Sequence, residues 1–251
     1  MGVSAPVAFD KANGISTAVN TIAAPNEAFD TLAVAPTWGW ALLIAIVLML
    51  VGTYIEAPAA RHTAVATTQR MVQNNPYFAT QSAEQKQKLI DRAGKPSLFS
   101  YVMPIVVLFI AVLLNTLFMQ IGNAVGKGRA TFKTIWAGSM NIAVPTIGLS
   151  LLVTGIITML RGADSFGSQG DLARAVPGLA MLVPHTAPVA GGFLAGITLF
   201  TLWGAFLNST MLQRMGKVSP AIAWTFAAIV LLLGGAVGAA AALMGAKFGM
   251  A

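Results

Sequence analysis

The sequence predicts an all-α fold: a polytopic membrane protein in which a five-helix transmembrane bundle follows an amphipathic N-terminal segment. Three observations predict it. Five stretches carry no charged residue, 31–55, 96–126, 134–160, 175–213 and 218–246, and they hold 25, 31, 27, 39 and 29 residues, against the roughly 20 apolar residues of a spanning helix. Hydrophobic residues make up 56% of the chain and charged ones 9%, where a soluble globular domain carries roughly 25% charge. The Lys and Arg residues behind the net charge of +7 sit between these stretches, as topology signals and contacts for anionic lipid. No basic stripe is interleaved with stacking aromatics, so nucleic acid is not an expected partner.

Residues 1–37 form an N-terminal arm. Asp10 and Lys11 interrupt its start, which therefore lacks the apolar core of a cleavable signal, and the first span is expected to double as the targeting signal. From Ile15 to Leu32 apolar residues recur at roughly helical spacing, broken at Pro25, and Pro25-Asn26-Glu27 signals a helix start. A short helix packed under the bundle is expected, with a membrane-surface or partner-binding helix as the alternative.

The membrane domain covers 38–245. Span one runs from about 38 to 55, with Trp38, Trp40 and Tyr54 at its ends, where amphipathic rings settle at the headgroups. Residues 56–97 are polar and read as a helical hairpin loop; Ser82 and Gln85 make a capping box opening a short charged helix. Span two is placed at about 98–120, with Pro104 in its opening turns. Span three, about 134–160, carries Asn141 and Pro145 at its midpoint, so the proline frees the Asn141 carbonyl and kinks the helix. Pro177, Pro184 and Pro188 make 175–189 an irregular or re-entrant connection. Span four is then expected at about 190–212 and span five at about 221–243. Gly192 and Gly196 in one, Gly234 and Gly238 in the other, are each four apart, a spacing that lets helix backbones approach closely. Intramolecular contact is the expectation, with a homo-oligomeric face as the alternative.

Catalytic constellations are missing from the sequence. There is no cysteine, the two histidines, His62 and His185, lie in loops, and no Asp or Glu falls inside a predicted span. Intramembrane metal, acid–base or proton-relay chemistry draws on such groups, so no enzyme activity, cofactor or metal site is expected. Gly126-Lys127-Gly128 lacks the first glycine and the Ser or Thr of a phosphate loop and reads as a basic turn. Polar groups remain inside the spans: Asn115, Gln120, Asn141, Thr154, Thr198 and Asn208. Interhelical hydrogen bonds are one explanation; a substrate or lipid cleft for apolar or neutral cargo is the other.

Pro25-Asn26-Glu27-Ala28-Phe29 followed by Pro36-Thr37-Trp38 before the first span resembles the bacterial branch of the Yip family, the Ypt/Rab-interacting proteins. Ala130-Thr131-Phe132-Lys133-Thr134-Ile135-Trp136, continuing to Pro145, is similar to that family's start of span three, and Leu199-Phe200-Thr201-Leu202-Trp203 to its span-four signature. The three blocks in this order cover roughly residues 22–245. The resemblance implies five spans, a cytosolic N-terminus, a C-terminus on the far side and, for a bacterial-type member, residence in the inner membrane. The purely basic loops after spans two and four agree with that orientation, whereas the 56–97 loop places the larger share of basic residues on the other side. Eukaryotic relatives bind prenylated Rab GTPases; the long acidic tail typical of them is not seen before span one, and that role is not carried over.

Two functions follow as expectations. The first is a non-enzymatic scaffold or accessory in membrane organisation, in trafficking-like or transporter-associated complexes, with membrane lipids and a membrane-protein partner. The second is a transport component, a permease subunit or lipid-handling channel, because a kinked span three facing an irregular 175–189 stretch is the kind of element that lines substrate sites. The residues singled out are Phe29 and Trp38 for seating the arm, Asn141 and Pro145 for the kink, and Trp203 and Asn208 for contacts in span four.

Overall fold

The structure, a computed structural model, describes residues 13–184 and 187–247. The first twelve residues of the arm, with Asp10 and Lys11, and His185 of the proline-rich stretch lie outside the described residues. Among the described residues the chain is all-helical, and four helices are long and apolar enough to cross a membrane: Gly39–Asn74, Phe99–Val125, Phe132–Arg161 and Pro220–Gly245. This is an integral membrane protein.

The arm folds as two short helices, α1 (Gly14–Ala23) and α2 (Pro25–Val34). Asn13 caps the first by accepting the Ile15 N–H, and Pro25 opens the second, where a missing backbone donor costs nothing. Phe29 and Leu32 of α2 are fully buried among Ile135, Leu207 and Met211. Helix α1 turns Thr17, Ala18 and Thr21 inward and leaves Ile15, Val19 and Ile22 outward. The buried threonines are satisfied within the helix, Thr21 Oγ1 donating to the Thr17 carbonyl at 3.0 Å. Helix α2 thus sits under the bundle, and α1 carries an outward apolar stripe beside Trp40, which is also exposed.

Helix α3 (Gly39–Asn74) runs for 36 residues, about 54 Å at 1.5 Å per residue. The sequence expects this helix to stop near residue 55 and give way to a polar hairpin. It continues through Pro58, which forgoes one backbone hydrogen bond, because passing from lipid to water does not itself end a helix and the extension packs Ala59 against Phe166 and Leu172. The hairpin is confined to a 3-10 turn, Pro76–Phe78, and α4 (Ala83–Ala93), whose capping box forms between Ser82 and Gln85.

Helix α5 (Phe99–Val125) returns, and Asn123 ties the following turn by bonding both the N–H and the carbonyl of Ala130. The third crossing is α6 (Phe132–Ala143), a π-helical turn over Val144–Leu149, and α7 (Ser150–Arg161). Pro145 cannot donate to the Asn141 carbonyl; the Val144 N–H takes that acceptor instead, and the widened turn absorbs the mismatch. Helices α3 and α7 meet at glycines: a Cβ at Gly155 would stand 2.6 Å from the Gly52 carbonyl oxygen.

The expected continuous span at 190–212 is two helices. After a short α8 (Gln169–Ala173), α9 (Pro188–Ala195) ends at Gly196, and α10 (Leu199–Arg214) starts anew at Thr198. Thr198 and Thr201 cap each other reciprocally, the Thr198 N–H donating to Thr201 Oγ1 at 2.8 Å and the Thr201 N–H to Thr198 Oγ1 at 3.2 Å. The proline-rich stretch supplies the remaining partners: the Leu179 N–H donates to the Ile197 carbonyl at 3.0 Å and the Leu199 N–H to the Pro177 carbonyl at 3.1 Å. The interruption leaves its backbone hydrogen-bonded, as apolar surroundings require. Helices α9 and α10 together run antiparallel along α11 (Pro220–Lys247), Gly192 facing Gly238, Gly196 facing Gly234 and Gly235, and Phe206 facing Trp224.

Candidate functional site: an uncharged cavity between two interrupted helices

The π-turn of α6–α7 and the break between α9 and α10 face each other across a cavity of about 260 Å³. Thr146 and Ile147 project from the π-turn, Gly196 and Thr201 come from the break, and α5 and α11 close the other sides. Both irregularities contribute to the cavity for a geometric reason. A regular helix packs its neighbours at even spacing, whereas a widened turn and a restarted helix each displace side chains from that spacing and leave space. Gly204 allows the closest approach: a Cβ there would stand 2.7 Å from Thr146 Cγ2.

The wall carries one polar cluster. Asn115 of α5 donates through Nδ2 to Ser139 Oγ of α6 and to Asn208 Oδ1 of α10, both at 3.0 Å. Ser139 and Asn208 are almost completely buried. These bonds use both hydrogens of the Asn115 amide. Its oxygen and the amino group of Asn208 have no protein partner among the described residues, and both residues line the cavity. Thr146 Oγ1 donates to the Ile142 carbonyl at 2.8 Å and Thr201 Oγ1 to the Gly196 carbonyl at 3.0 Å, so both hydroxyls serve the helix interruptions first. No lysine, arginine, aspartate or glutamate lines the space. Such a site can hold an apolar body with a small uncharged polar group.

Of the six residues singled out for seating, kink and contact, Asn208 alone lines this cavity; Asn115, named among the polar groups inside the spans, lines it too. Pro145 is buried at the start of the π-turn and acts on the cavity through the backbone. Asn141 points the other way, its Nδ2 donating to the Thr37 carbonyl at 3.0 Å and the Ala137 carbonyl at 2.8 Å; it ties the arm's exit to α6. Trp38, exposed on its outer side, meets Trp136 edge to face with centroids 6.4 Å apart. Trp203 stacks on Phe206 at 4.9 Å. Phe29 is fully buried under the bundle, where Arg214 holds α2 by donating to Asn26 Oδ1 at 3.0 Å and lying 3.5 Å from Asp30. Ser139 and Thr146 join the site without any signal in the sequence, and Thr201 is marked only as part of the 199–203 block; small hydroxyl residues are common in membrane helices, and their pattern does not set these three apart.

A second hydrogen-bonded region lies along the C-terminal half of α3. Phe166 is fully buried there, under the Arg161 guanidinium at 4.7 Å from its ring centroid. His62 Nδ1 donates to the Phe166 carbonyl at 3.0 Å and Arg70 Nη2 to the Gly167 carbonyl at 3.0 Å. Gln169 Nε2 donates to Thr63 Oγ1 at 3.0 Å. The 162–175 connection is thereby fixed to the extension of α3.

Comparison of the chain with protein-family models, curated proteins and solved structures finds no match.

Proposed function

We propose that this chain is a non-enzymatic membrane protein of Yip type with five crossings, α9 and α10 making the fourth together, and that it is a lipid-handling component whose central cavity takes an uncharged lipid. The observation that carries the reading is the meeting of two interrupted helices at one uncharged cavity with open hydrogen-bonding atoms. Interrupted membrane helices are tolerated where they line a cavity, and they line substrate sites in transporters. The fourth crossing is supported by the antiparallel course of α9–α10 along α11. The Yip reading rests on the sequence blocks at 25–38, 130–145 and 199–203.

A scaffold for a membrane-protein partner is the second reading, favoured by the α3 extension with its fixed 162–175 cap, which offers a rigid surface beyond the apolar layer. In-cell photocrosslinking from position 146 and from position 85 separates the two. Lipid captured at 146 supports the lipid-handling reading. One dominant protein captured at 85, with nothing at 146, overturns it in favour of the scaffold.

A further inference from the structure

We infer that the cavity is built for an amphiphile whose polar end is a hydroxyl, admitted sideways from the bilayer between α5 and α11. The inference rests on the lipid-handling reading and names its ligand class. Asn208 is only 4% exposed, lines the cavity and has an amino group without a protein partner among the described residues. The Asn115 oxygen beside it is an acceptor in the same condition. Turning both amides over together exchanges the two roles but keeps one open donor and one open acceptor.

The matching group both donates and accepts within a small volume. A hydroxyl does this on one atom; an ether or ester oxygen only accepts, and a hydrocarbon does neither. An ammonium or phosphate group would enter a site without any charged lining residue and bear its full desolvation cost.

Size sets the rest. A cavity of about 260 Å³ is less than twice the roughly 150 Å³ that admits benzene. It takes the polar end and the first part of one chain, and the remainder stays in the bilayer, so the site needs a lateral opening. Gly234 of α11 lines the cavity, is exposed, and has no atom within 4 Å of where a Cβ would stand. Asn115 of α5, which lines the same cavity, is half-buried.

The test uses the purified full chain in detergent micelles with three photoreactive probes on one alkyl skeleton: a long-chain alcohol, its methyl ether and the matching trimethylammonium. Labelled residues are mapped by mass spectrometry. The alcohol is expected to label the cavity walls of α5, α10 and α11 about two- to tenfold more than the ether, the equivalent of one net hydrogen bond, and the cation only the outer surface. Asn208→Leu is expected to remove the alcohol–ether difference, and Gly234→Leu to lower cavity labelling by both. The wild-type probe comparison stands even if a variant fails to fold. Equal cavity labelling by alcohol and ether overturns the hydroxyl assignment while leaving the lipid-handling reading intact; cavity labelling by none of the probes overturns both.

Discussion

The glycines of α9 and α11 are not equivalent, and replacing them one at a time tests the packing that holds α9 against α11. A Cβ at Gly192 would stand 2.6 Å from the Gly238 carbonyl oxygen and from Ala242 Cβ, where ordinary contact begins at 3.4 Å. One atom is backbone and the other a methyl without rotamers, so α9 and α11 must separate by about 0.8 Å. A gap of that size forfeits a quarter to a half of the dispersion energy of each contact it opens, and overpacking of this kind typically costs about 1–3 kcal/mol. Gly238→Ala strains the same crossing from the other side, against the Gly192 carbonyl. Gly234 occupies the other position of the same four-residue spacing, yet a Cβ there meets nothing within 4 Å. Gly234→Ala should therefore be neutral, or stabilising by about 0.5–1 kcal/mol through its lower backbone entropy. The assay is SDS-titrated or thermal loss of helicity by circular dichroism, the three alanine variants measured side by side. Equal effects at Gly234 and Gly238 would refute this packing of α9 on α11.

Phe29→Ala should destabilise by about 3–5 kcal/mol, the usual cost of emptying a fully buried phenylalanine site, and should release the arm, read as new proteolysis between α2 and α3. Asn141→Leu leaves the Thr37 carbonyl without its donor and should cost about 1–3 kcal/mol, with thermal unfolding as the check. The chain has no cysteine, so single cysteines report sidedness directly: positions 82 and 168 should react with a membrane-impermeant maleimide from one side and position 219 from the other. Reaction of 168 and 219 from the same side would remove the fourth crossing.

The charge-free windows made the long helices legible because lipid tolerates few ionised groups, and the Asn141–Pro145 pair marked the place where α6–α7 is irregular. The extent of α3 was not legible: its charges from Glu56 onward marked the end of the apolar layer, which is a different event from the end of a helix. The break at Gly196–Thr198 was hidden because hydropathy averages over it and because a Thr–Thr reciprocal cap lacks the Glu or Gln that usually reveals a capping box. The cavity itself could not be read from spacing. Asn115 lies 24 positions from Ser139 and 93 from Asn208, and only the helix packing brings the three together. Even the two glycine pairs, alike in sequence, separate into contact and open positions only once α9 is laid against α11.

Whether the cavity holds an uncharged lipid is decided by native mass spectrometry of the purified chain beside its Ala205→Phe variant. Ala205 is buried on the cavity wall, and a phenyl ring occupies the space without adding charge. A neutral-lipid adduct is expected on the wild type and should disappear in the variant, while the variant keeps its helicity and unfolds at the same or a higher temperature. The same adduct on both proteins, or none on either, would contradict a lipid-holding cavity.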